Sequence, residues 1–130
     1  MRQTLALLGA VQLLNGLYMI VAPMAWYGSV PGVVETGPMN HHFIIDIGLA
    51  FAASGVGMFM ALRRGAAAAA FALAGATWPT LHALFHVWGW MEHGMPNDTR
   101  DAITQFVGVM VVSFGAFALA WVLARREGAI

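Results

Sequence analysis

Four stretches of this chain are apolar for about the length a helix needs to cross the hydrocarbon core of a bilayer, roughly 20 residues, and they constrain everything else. The first covers about residues 4–25 and is interrupted by only two amides, Gln12 and Asn15. The others fall at about 41–62, 66–91 and 101–124, separated by turn-forming or charged residues. Inside lipid each backbone N–H and C=O must be satisfied within the segment, so runs of this length predict helices. The expectation is one all-α domain, a four-helix transmembrane bundle whose first partner is the lipid bilayer. A cleaved signal peptide competes for the first run, since Arg2 precedes a leucine-rich stretch. The run is too long for that, and Pro23, Met24 and Trp26 stand where a small-x-small cleavage pattern belongs.

The connections fix the layout. Gly28, Pro31, Gly32, Gly37 and Pro38 make residues 26–40 turn chemistry, with Trp26 and Tyr27 placed as interfacial aromatics. Asn40 and Asp98 are expected to cap the second and fourth helices. Small residues four apart (Gly48/Ala52, Ala53/Gly57, Ala72/Ala76) predict a tight second hairpin, and Gly108/Gly115 a further close-packing face. Pro79 removes the helical donor for the Gly75 carbonyl and predicts a kink in the third span. Arg2, Arg63, Arg64, Arg125 and Arg126 all fall at one end of this layout. The positive-inside rule assigns that end to the cytoplasm. Both termini are then cytoplasmic, as in a multi-pass protein of the bacterial inner membrane, and the five histidines gather toward the periplasmic face.

At 60% hydrophobic and 9% charged residues, the composition suits a bilayer rather than water as the solvent. The chain has no lysine, which excludes Schiff-base chemistry, and no cysteine, which excludes disulfides and thiolate ligands. Formal charge is zero and the arginines are not clustered, so a nucleic-acid partner is not expected.

Chemistry concentrates between Asn40 and His93. His42 and Asp46 are four apart, as are His82 and His86, so each pair shares one face of its helix. A hairpin turning at Arg64 sets His42 level with His86 and Asp46 level with His82. His93 falls within about 20° of the His82 and His86 stripe and is a lid or extra ligand, whereas His41 points elsewhere. Asp46 inside a span is costly unless a cation or polar partner offsets it. The candidate metal ligands are therefore His42, Asp46, His82, His86 and His93.

Nitrogen and oxygen donors suit copper, iron or zinc. Met24, Met39, Met91 and Met95 near the outer face add thioethers that tilt the choice to copper, against their simpler use as packing. Haem is less suited, because adjacent helices of a tight hairpin leave little width for a porphyrin. A quinone head group fits the same residue types. The cluster could equally be a polar clasp without metal or reaction, in a structural or assembly subunit of a larger membrane complex or a homo-oligomer. No nucleophile, base and orienter occur as a set, so enzyme status stays open.

The run Leu13-Leu14-Asn15-Gly16-Leu17-Tyr18, the segment from His42 through Asp46 to Gly48, and Leu81-His82-Ala83-Leu84-Phe85-His86 together resemble uncharacterised bacterial four-helix membrane proteins of the broad DoxX-like kind. The resemblance implies a four-helix membrane bundle and, for some members, association with quinone-linked redox systems. It carries over no functional residue.

Overall fold

Pro23 decides where the first helix ends. It has no N–H and its ring crowds the turn before it, so the helix begun at Arg2 stops at Val21, and Ala22 leaves helical geometry at φ −138°, ψ 59°. The sequence expectation ran this span on to residue 25. Pro23 instead opens a short second helix, α2 (Pro23–Ser29), at the position where its fixed φ is favourable. Part of the expected loop is thus helical, and a 3₁₀ turn occupies Val34–Thr36.

The computed structural model describes residues 1–130, contains no strand, and has four helices long and apolar enough to cross a membrane. They are α1 (Arg2–Val21), α3 (His41–Leu62, its last turn 3₁₀), α4 (Ala66–His93) and α5 (Thr99–Arg126). The expected caps form. Asn40 Oδ1 accepts from the Phe43 N–H at 3.0 Å, and Asp98 Oδ1 from the Asp101 N–H at 2.9 Å. Pro79 lies within α4, which continues past it to His93. In α5 the stretch Thr104–Val111 is wound as a π-helix between two α-helical parts.

Glycine sets which helices touch. Gly9 and Gly16 on α1 meet Gly55 and Gly48 on antiparallel α3, each pair being seven residues apart. A Cβ on Gly16 would stand 2.5 Å from the Gly48 carbonyl oxygen, and one on Gly55 would stand 2.6 Å from that of Gly9. Without a water-driven hydrophobic force between helices in lipid, such backbone approach supplies the packing. Gly48 and Ala52, expected to tighten the α3/α4 hairpin, therefore serve α1. The α3/α4 seam uses Gly57 against Gly75. Gly108 and Gly115, expected to form a close-packing face, have open space where a Cβ would go, because α5 meets α4 through Ser113, Ala116 and Ala120 instead.

The packed core lies toward the arginine end. Leu5, Met58, Ala61, Ala69, Ala72, Ala76, Ala116, Ala120, Leu123 and Ala124 are buried against one another, drawing on all four spans. Alanine dominates because close helices leave little room between them. Toward the outer end, polar residues of α4 and α5 meet.

At the arginine end Arg2 donates to the Ala61 carbonyl at 2.7 Å and to that of Arg63, and its guanidinium pairs with Glu127. Glu127 in turn accepts from the Gly65 N–H at 2.7 Å, at the start of α4. The Gly65 N–H holds the Glu127 carboxyl below the usual carboxylate range, against the effect of desolvation, with the Arg2 and Arg64 charges assisting. A depressed folded value means this stabilisation is present above the unfolded carboxyl pKa and is lost as pH falls through the folded one. Acidification below the ordinary glutamate range should release the lock. The Glu127→Gln protein should lose that increment of acid sensitivity in amide exchange around Gly65. Identical acid responses in the two proteins would contradict it.

Candidate functional site

The structure divides the five candidate ligands. On α3, His42 Nε2 and Asp46 Oδ2 lie 3.2 Å apart as an i, i+4 pair, with side chains 90% and 55% exposed. On α4, the rings of His82 and His86 are edge to face with centres 4.8 Å apart. His93 is exposed, with Nδ1 3.3 Å from the Gly89 carbonyl of its own helix. No group of three or more His, Cys, Asp or Glu side chains is placed to share an ion.

The reason is angular. His82 meets Phe51 on α3, with ring centres 5.6 Å apart. Phe51 lies five residues beyond Asp46, about 7.5 Å further along the helix at 1.5 Å per residue. It also sits about 140° round α3 from Asp46 and 180° from His42. The hairpin register is thus within about two turns of the sequence expectation, but Phe51 occupies the place expected for Asp46. The carboxylate and His42 are turned outward and satisfy one another.

His82 is enclosed by rings. Trp78, one turn earlier, stacks on it at 5.3 Å with planes 8° apart, while Phe51 and His86 approach edge to face. Trp78 is thus a wall of this site.

His86 is held differently. Its Nδ1 lies 3.1 Å from Gln105 Oε1, which also accepts from Trp90 Nε1 at 2.7 Å. Gln105 Nε2 donates to Asp101 Oδ1 at 2.8 Å. Two residues of α4 and two of α5 thereby join in one network, inside a bundle where unpaired polar groups are costly. Asp101 carries it outward to the loops, where its carboxylate is seated against Gly32 at φ 81°. A side chain on Gly32 would collide with that carboxylate, so glycine is needed for both space and backbone. Around this contact a cleft of about 560 Å³ opens between residues 28–35 and 96–101, lined by Glu35, Asp98, Arg100 and Asp101.

Gln105 was not singled out by sequence because a regular helix misplaces it. Ser113 packs on α4, its carbonyl 3.3 Å from Thr80 Oγ1. At 100° per residue Gln105 would lie about 80° away from Ser113. The π-wound turns rotate less per residue and carry Gln105 round to His86. Met24, Met91 and Met95 are exposed and bring no thioether to the imidazoles.

Two imidazoles bound to one ion at about 2.0–2.1 Å in tetrahedral fashion have ring centres roughly 5 Å apart. His82 and His86, at 4.8 Å, meet that spacing. Two imidazoles are thus brought together, one walled by aromatics and the other hydrogen-bonded to an amide. Comparison with known proteins gives no matching family model, no similar curated protein and no similar solved structure.

Proposed function

We propose that this is an integral membrane metal-binding protein of redox or metal-handling type, with His82 and His86 as its protein ligands. The observation that carries the reading is the pair of adjacent-turn imidazoles 4.8 Å apart, one of which is hydrogen-bonded through Nδ1 to an amide oxygen. Metal-bound histidines commonly have such an outer partner. The ligand set is smaller than sequence suggested, since His42, Asp46 and His93 lie apart from it. A tetrahedral spacing calls for further donors from water or another chain, whichever of copper, zinc and iron is bound. Gathering of Arg2 and Arg63 at one end supports the arginine end as cytoplasmic and the histidines as periplasmic, in a bacterial inner membrane.

A second reading rests on the Gln105 bridges, which tie α4 to α5. In that reading the network is only a clasp, in an assembly subunit. Metal analysis and an absorption spectrum of detergent-purified protein separate the two. About one ion per chain supports the centre, while an empty protein that added copper, iron or zinc cannot fill supports the clasp. The cysteine-free chain also permits a direct topology test. A cysteine placed at Glu35 should react with an impermeant maleimide added to intact cells, and one placed at Arg64 should not. The reverse pattern would overturn the orientation.

A further inference from the structure

We infer that Trp90, Gln105 and Asp101 are positioning residues that fix which nitrogen of His86 carries the proton, leaving the lone pair on Nε2. The inference deepens the metal reading and rests on hydrogen-bond chemistry alone. An indole N–H can only donate, so the Gln105 atom 2.7 Å from Trp90 Nε1 must be its oxygen. An ionised carboxylate can only accept, so the Gln105 atom 2.8 Å from Asp101 Oδ1 must be its nitrogen. The two contacts independently demand the same orientation of the amide. The atom 3.1 Å from His86 Nδ1 is then an oxygen without a proton, and Nδ1 must be the donor.

Neutral imidazole holds one N–H, so with the proton on Nδ1 the lone pair is on Nε2. A lone pair is what a metal ion binds, and an N–H given to an amide oxygen raises the basicity of the opposite nitrogen. His82, whose contacts are aromatic rings, has no such constraint. The pair is thus unequal, with a fixed donor and an adaptable one. Asp101 links the fixed donor to the cleft beside Gly32 at the outer surface.

The test is nitrogen NMR of metal-free protein labelled with ¹⁵N-histidine, at a pH where the ring is neutral, with the His86 signals assigned by their absence from His86→Ala. Expected is a protonated Nδ1 and an unprotonated Nε2. In Gln105→Leu the preference for the Nδ1–H form should be lost and metal affinity should fall roughly 10- to 100-fold. Gln105→Glu made together with Asp101→Asn should restore that form, because the carboxylate accepts from both His86 and Trp90 and the amide at position 101 can donate to it. A proton found on Nε2 in the parent protein overturns the inference even if metal binds. Unchanged tautomers in both Gln105 variants also overturn it. A fixed Nδ1–H in a protein that takes up no metal upholds it while removing the metal reading, so the two failures are distinct. Should Gln105→Leu not fold, the parent spectrum and the Gln105→Glu, Asp101→Asn protein decide.

Discussion

Replacing His86 by alanine is expected to weaken metal binding by more than about 100-fold, since losing even an outer partner of a ligand costs roughly 10- to 100-fold. His82→Ala should do the same, because either change leaves one imidazole where two stood 4.8 Å apart. His41→Ala, His42→Ala and His93→Ala should bind as the parent protein does. His42 is engaged with Asp46 on the exposed side of α3, and His93 leans on its own helix. Titration of each detergent-purified variant with copper(I) under reducing conditions, then with zinc, gives the comparison. A loss in His42→Ala equal to that in His86→Ala would mean that α3 supplies a ligand and that the outward position of His42 and Asp46 is not the binding geometry.

Introducing a single methyl group at Gly16 or Gly55 is expected to destabilise the bundle by about 1–3 kcal/mol or more. The added Cβ would meet backbone, 2.5 Å from the Gly48 carbonyl oxygen for Gly16 and 2.6 Å from that of Gly9 for Gly55. Backbone cannot swing aside as a flexible side chain does, so α1 and α3 must separate along their length. Gly115→Ala is the matched control, since its new methyl would enter open space. Thermal unfolding in one detergent should place Gly16→Ala and Gly55→Ala well below the parent, with Gly115→Ala close to it. If all three melt together, the glycine seam does not hold the bundle.

The four spans, their caps and the common end of the arginines were legible in sequence because each is a local property. Apolar length fixes a span, a side-chain oxygen fixes a cap, and a charge avoids lipid. Even the hairpin register was close, since turn position and rise per residue nearly determine depth. What escaped was rotation about the helix axis. His42 and Asp46 sit at a plausible depth on α3, yet Phe51 takes the side facing His82. Gln105 escaped for a related reason, as no residue pattern announced the π-wound turns that bring it to His86. The glycine seam was visible in principle. Gly9/Gly16 and Gly48/Gly55 share a spacing of seven and align when the first two spans run antiparallel, whereas Gly108/Gly115 have that spacing without a partner.

The lock at the arginine end has a consequence for biogenesis. Gly65 and Glu127 are 62 positions apart, so at about 5–20 residues per second a ribosome delivers the carboxylate roughly 3–12 seconds after the amide it will bind. During that interval α1 and α3 can already close on their glycines and Arg2 can hold the Ala61 and Arg63 carbonyls, while the start of α4 waits for its carboxylate. A chain halted before Glu127 would have all four spans made and the Gly65 N–H still without its carboxylate.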